Sequence, residues 1–496
     1  MKRRIVITLL LIVCIINIQL GASSFEEKFQ WVKQTFEEND AGFQMVLDRK
    51  GQAAYDSHNQ RIAQKIESAK DLNECLEVLR EWLRFFRSSG HLELFLTQQV
   101  SIEQQAQTMP NAVTPEYWGG DIAQFRAYLS SKKEVDYEGI WDISGNYKVG
   151  IIKERNSYIG FIIESTYDDW LPNMVKLKIE DIDSEMKSTY YMRDFTPRIS
   201  GKPVSIGNHV LQIGGIDLER LYPELKPDPY IENYLRFLTA DKPYIEHLNR
   251  NTLYLRIPSF YFDYSLENLI KENMKKITKT ENLIIDLRNN GGGDIITANV
   301  LYPILYTNPI QIPSFEFLAS PLNIKLFSEN FERIESNEKY KNDTQFIQQA
   351  KNFIDNIKNR EGEFVLDGDG VEMIVHSFDK ILKFPKNVGV IVNHISMSAT
   401  EEFAIAAKQS KKVKIFGTVT YGAIDTGAVT TTTSPCGELV LMYCAMRNPR
   451  TNYMQIDEIG VQPDFLIDSS VPDYKWVEYV NDMMRNWGTA KRGRRR

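Results

Sequence analysis

Ser398 is the residue of this chain best placed to act as a nucleophile. It follows the apolar run Val388-Gly-Val-Ile-Val392 after a short polar turn, and a helix-like segment, 399–410, starts directly behind it. A helix N-terminus carries partial positive charge and unpaired N–H groups, so a hydroxyl there sits beside natural anion donors. Upstream, a second apolar run, Leu283-Ile-Ile-Asp-Leu287, ends in Arg288-Asn-Asn-Gly-Gly-Gly293. Glycines after a buried strand permit positive φ and close backbone approach, so this turn can aim backbone N–H groups outward. A hydroxyl with two such donors, the second from Ala399, is the equipment for acyl transfer. The same residues fit a plainer role. Ser398 and Glu401 make a capping box, and three glycines make a tight turn.

These stretches resemble the C-terminal-processing and tricorn-type serine peptidases. Leu283–Gly293 is similar to that family's (I/L)DLRxNxGG segment, and Ser396-Met-Ser-Ala-Thr-Glu401 to its S-x-S-A-(S/T)-E segment. Ile459-Gly-Val-Gln-Pro-Asp464 is similar to its closing GVxPD. The resemblance spans roughly residues 250–470 and fades in the first half. It implies a crotonase-like α/β core, a nucleophile at Ser398, and oxyanion donors at Gly292 or Gly293 and Ala399. It implies a protein or peptide substrate and no metal or organic cofactor.

Serine needs a base at neutral pH. The processing-peptidase branch uses a lysine in a G-x-x-T-(F/Y)-G-K-G stretch. The matching residues here are Gly417-Thr-Val-Thr-Tyr-Gly-Ala-Ile424, and Ala423 stands where the lysine would be. Alanine accepts no proton, so that dyad is excluded. The tricorn-type branch uses serine, histidine and a carboxylate. Phe85-Phe-Arg-Ser-Ser-Gly-His-Leu92 resembles its D-G-H-(T/L) segment, with Ser89 in place of aspartate, and makes His91 the base. His394, four residues before Ser398, is the rival. The orienting acid stands just ahead of the GVxPD match in that branch, which selects Asp457, with Glu458 as alternate. Loss of the lysine also motivates a second reading, an inactive peptide- or ligand-binding protein on the same scaffold.

The elements that must position these residues are legible in outline. Residues 24–110 read as a helical domain, with Leu72, Cys75, Leu76, Leu79, Trp82, Leu83 and Phe86 at helical spacing. Residues 111–245 read as a β-rich domain without a recognisable PDZ carboxylate-binding signature, as a small barrel or sandwich. Within it, Tyr147–Lys153 and Tyr158–Glu164 predict a hairpin. Val175–Glu180 alternates as a half-exposed strand would. Residues 250–475 predict strands alternating with helices, hence a mostly parallel sheet covered on both faces. A helical excursion falls near 325–360, and Asp367-Gly-Asp-Gly370 reads as a hairpin turn. Residues 476–496 form a C-terminal helix and a basic tail.

Composition sets outer bounds. At 496 residues, 43% hydrophobic and 25% charged, the chain holds two or three globular domains. Lys2, Arg3 and Arg4 precede an apolar stretch and then Gly21-Ala22-Ser23, which reads residues 1–22 as a signal peptide and the protein as secreted or periplasmic. The formal charge is −7, and loss of those three cations makes it about −10, which disfavours nucleic acid as a partner. No second apolar stretch of that length follows, so no stable membrane insertion is expected after signal removal. Three cysteines remain beyond the signal. Cys75 reads as core, and Cys436 and Cys444 can pair.

Overall fold

The computed structural model describes residues 24–88, 90–97, 115–182, 185–337, 344–367 and 370–490. The expected signal peptide and the basic end of the tail lie outside these residues. The chain is mixed α/β and divides into two compact units, one of residues 1–101 with 240–496, the other of residues 102–239.

The first unit is built on a six-stranded sheet. Its order is Tyr244–Asn249, Thr252–Arg256, Asn282–Asp286, Asn387–Val392, Val413–Gly417 and Phe465–Leu466. The first pair is antiparallel and the rest are parallel. The inner strands are almost wholly apolar because both faces are covered. Leu283, Ile285, Val388 and Val390 pack on one side with Phe403 and Ala407 of the helix Ala399–Lys408. Ile284, Ile391 and Phe416 face the other side and meet Trp476, Val480 and Met484 of the helix Trp476–Ala490. Ile285 is level with Val390 and Asp286 with Ile391. That register ends the two strands together, so the glycine turn and the serine turn lie side by side.

Four helices begin the described chain: Phe25–Asn39, Phe43–Lys50, Gln52–Ser68 and Leu72–Arg84. The stripe from Cys75 to Phe86 is buried as its spacing predicts, and it packs with Leu439, Leu441 and Tyr443. The segment is not helical throughout. Glu93–Leu96 is a strand, antiparallel to Leu439–Arg447, with Glu93 opposite Met442 and Leu96 opposite Leu439. Four residues are too few to show a strand by periodicity, and only the distant partner makes one. The strand Leu439–Arg447 also pairs with Thr426–Thr433 and Glu316–Leu318.

The expected excursion is present as the helices Pro321–Glu335 and Thr344–Lys358. The middle of Asp367-Gly-Asp-Gly370, read from the sequence as a hairpin turn, lies outside the described residues. The flanking strands Phe364–Leu366 and Met373–His376 belong to different sheets, and the Asp367 carboxylate accepts from the N–H of Phe315 at 3.0 Å. Cys75, Cys436 and Cys444 are free thiols; the last two form no disulfide.

The second unit carries a nine-stranded antiparallel sheet with the predicted hairpin, Tyr147–Glu154 and Ser157–Ser165, near its middle. Strand order is linear and no pair among the described residues closes it, so it is one open sheet rather than a barrel or a two-sheet sandwich. The strand Val175–Ile182 departs from simple alternation. Lys176 is fully buried, with its ammonium 3.7 Å from the Trp170 ring centroid and 4.0 Å from that of Tyr147. The ring faces attract the cation, while burial pushes its pKa down to about 7.

Candidate active site

Ser398 lies between the end of strand Asn387–Val392 and the first turn of helix Ala399–Lys408, with φ 58° and ψ −126°. A non-glycine residue in this region is strained and persists only where its surroundings over-determine it. The surroundings here are specific. Ser396 donates its hydroxyl to the Leu287 carbonyl at 2.8 Å and accepts from the Asn393 N–H at 3.0 Å. Asn393 and Asn289 lock the two turns together: the Asn289 N–H donates to the Asn393 side chain at 2.9 Å, and the Asn393 amide donates to the Asn289 side chain at 2.7 Å. The Asn290 carbonyl accepts from the Met397 N–H and the Thr400 hydroxyl, each at 3.1 Å. Glu401 is fully buried. Its carboxylate accepts from the N–H groups of Ser398, Gly422 and Ala423 and from the Thr420 hydroxyl. Burial raises its pKa, and those four donors oppose the rise.

The glycine turn presses on this serine. A Cβ at Gly292 would stand 2.7 Å from Ser398 Cβ and 3.1 Å from the Ala399 nitrogen, and φ there is +98°. Only glycine fits such an approach. The Gly292 N–H donates to Asn290 Oδ1 at 2.9 Å and is committed. The N–H groups of Gly293 and Ala399 have no hydrogen-bond acceptor among the described residues. Gly293, Ala399, Ser398 and His91 line one cavity.

His91 reaches that cavity from the far end of the sequence because the strand Glu93–Leu96 is sewn onto Leu439–Arg447. Its Nδ1 lies 3.1 Å from the Thr426 carbonyl oxygen. A carbonyl only accepts, so Nδ1 carries the proton and Nε2 carries the lone pair. Burial first, with the nearby Arg87 guanidinium assisting, pushes the ring's pKa down from 6.5 to about 4, against the Thr426 hydrogen bond. The imidazole is therefore neutral at pH 7. No hydrogen bond joins it to Ser398; catalytic contacts are often loose without substrate.

Asp457 is buried, but its carboxylate does not meet the imidazole, whose Nδ1 already has the Thr426 carbonyl. Asp457 Oδ1 accepts from the N–H groups of Ile424 and Asp425 at 2.7 and 2.8 Å. Asp425 answers: its Oδ2 accepts from the N–H groups of Ile456 and Asp457, each at 2.9 Å, and its Oδ1 from Arg450 at 3.2 Å. The two aspartates clasp the segment that ends in Thr426. Burial and mutual repulsion push Asp457 up to about 7, and burial raises Asp425. Glu458 accepts from the Ser88 N–H at 2.8 Å and so anchors the turn ahead of His91. His394 is exposed and does not line the cavity.

Ala423 is 3% exposed, and a Cβ added at Gly90 would stand 2.9 Å from its own Cβ. The histidine turn thus closes over the position where the other branch carries lysine. The asparagines and Asp425 escaped sequence reading because their task is to join two separate stretches; Asn289-Asn290 inside the glycine motif was the only local hint.

Residues 251–467 match the family model for peptidase family S41. The fold is similar to solved structures of mature CPAF, at 14% identity over 92% of this chain and 95% of that one with a TM-score of 0.50. It is likewise similar to mature CPAF complexed with lactacystin, at 13% identity over 93% and 97% with a TM-score of 0.51. No curated protein matches the chain. Residues 251–467 are thus a peptidase family S41 segment, and the chain carrying it is a serine-type peptidase, whose family implies a protein substrate.

Proposed function

We propose that the protein is an exported serine endopeptidase with a crotonase-like core, working through an acyl-enzyme on Ser398 with His91 as base. The observation that carries this reading is the single cavity lined by His91, Ser398, Gly293 and Ala399. Nε2 of neutral His91 takes the Ser398 proton as Oγ bonds to the carbonyl carbon of the substrate. The oxyanion is held by the N–H groups of Gly293 and Ala399, the latter in the first turn of a helix, where backbone charge is already favourable. Collapse breaks the C–N bond, and the imidazolium gives its proton to the departing amine. Water then attacks the ester, with the same ring as base, and restores the serine.

Asp457 is the acid of this constellation at one remove. With Asp425 it fixes the backbone that presents the Thr426 carbonyl, and that carbonyl orients the imidazole. The peptidase core and the four N-terminal helices fall in one unit, residues 1–101 with 240–496, and the β-rich sheet in the other, residues 102–239. Among the described residues no helix is long and apolar enough to cross a membrane. Export rests on residues 1–22.

A serine-directed fluorophosphonate tests the reading. The folded protein is expected to be labelled, with labelling abolished in Ser398→Ala and slowed about 10³-fold or more in His91→Ala. Undiminished labelling or casein hydrolysis by folded Ser398→Ala would refute it. No labelling of the folded wild type would favour the binding-protein reading.

A further inference from the structure

We infer that this peptidase cuts after an apolar residue, held in extended conformation along the free edge of the strand Thr426–Thr433. The inference rests on the catalytic reading above and names the substrate class of that site. The cavity that holds the four catalytic groups is otherwise walled by Ile295, Phe315, Ile424, Val429 and Met446. All but Val429 are buried in their own right, so the wall is fixed by the core rather than by mobile surface side chains. The carbonyl oxygen of the bond to be cut must sit between the N–H groups of Gly293 and Ala399. The side chain on the adjoining Cα then has the shortest reach into that wall. A charged side chain entering there would lose its water without gaining a partner. Glu402 also borders the cavity, but it is buried and engaged within the protein, which leaves it a poor reader of a basic substrate.

A second, independent feature supports the binding mode. Thr426–Thr433 pairs with Leu439–Arg447 on one side, and no strand among the described residues occupies its other side. Gly427, Ala428 and Val429 of this strand line the cavity, and Ala428 adopts φ 51°. Unpaired strand edges recruit extended peptides through main-chain hydrogen bonds, with alternate side chains reading pockets. Edge and pocket here converge on the same hydroxyl, so one extended segment satisfies both.

The test uses the full chain and fluorogenic peptides that differ only at the residue supplying the scissile carbonyl, with leucine, alanine, arginine or aspartate there. Leucine is expected to exceed arginine and aspartate in kcat/KM by about 100-fold or more, and alanine by about tenfold. Val429→Phe narrows the wall and should lower kcat/KM for the leucine peptide at least about tenfold while changing the alanine peptide less than about threefold. Val429→Ala, which carries no risk of overpacking, should shift preference toward phenylalanine. A preference for arginine, or a leucine-to-alanine ratio unmoved in both variants, would overturn the inference. Ser398→Ala separates the two levels. If it is inactive while the profile lacks apolar preference, only the specificity fails; if it still cleaves, the catalytic reading fails first.

Discussion

The serine turn and the histidine turn reach the same cavity by different means. Ser398 is placed by neighbours: two parallel strands in register, a glycine turn pressed against it, and an asparagine latch between the two turns. His91 is placed by a strand of four residues that pairs with a partner some 350 positions later, and by a carbonyl whose position two aspartates fix. The difference teaches that the nucleophile is a property of one supersecondary unit, whereas the base is a property of the assembled molecule. Perturbations of the first should stop chemistry outright. Perturbations of the second should move the ring and its titration by degrees.

Apart from Ser398 and His91 themselves, the largest effect is expected at Gly292→Ala. The added methyl would stand 2.7 Å from Ser398 Cβ, against backbone that cannot give way. A loss of about 10²–10³ in kcat/KM should follow from displacement of the nucleophile and of the Ala399 donor, with folding retained by circular dichroism.

On the histidine side, Asp457→Ala removes the acceptor for two N–H groups and should lower kcat by about 10–100-fold with KM little changed. Asp457→Asn keeps an acceptor oxygen and should cost less than about threefold. If Asp457 instead met the imidazole directly as a triad acid, the asparagine would cost about 10⁴-fold in kcat. The alanine variant should also raise the acid limb of the pH–rate profile, because a loosened, hydrated imidazole drifts back toward 6.5. A purely structural lesion would leave that limb in place.

Ala423→Lys sharpens the comparison from the opposite direction. If the chain were a decayed serine–lysine enzyme, restoring lysine would raise activity. The packing of Ala423 against Gly90 predicts overpacking of about 1–3 kcal/mol, a lowered Tm and no gain in turnover.

The smallest effect is that of pH on the wild type. Activity requires neutral His91, whose pKa of about 4 keeps it so down to mildly acid conditions. Hydrolysis should change less than about twofold between pH 7 and 5 and halve near pH 4. Stability is a poorer reporter, because two contributions oppose each other. For His91 the folded pKa lies below the unfolded value, so stability rises with pH across about 4 to 6.5. For Asp457 it lies above, so stability falls as pH rises from about 4 to 7.

Strand identity in the core, the helix behind Ser398 and the excursion helices were legible because each is set by local apolar pattern or by turn residues. The choice between Gly292 and Gly293 was not. Both glycines permit the required φ, and only the Asn290 side chain, which takes the Gly292 N–H, separates them. The alternation of Val175–Glu180 predicts a half-exposed strand, but periodicity reports which face a residue occupies and not whether aromatic rings close over it, as they do over Lys176.

The residues alone determined that an acyl-transfer hydroxyl would sit at a strand-to-helix junction beside a glycine turn. They also determined that no lysine could serve at position 423. Those properties follow from backbone preference and side-chain chemistry over short distances. Only the tertiary structure decided which nitrogen of His91 holds its proton, that a main-chain carbonyl rather than a carboxylate orients it, and which walls a substrate meets. Those properties depend on contacts between segments hundreds of residues apart, and nothing in a local pattern encodes the partner.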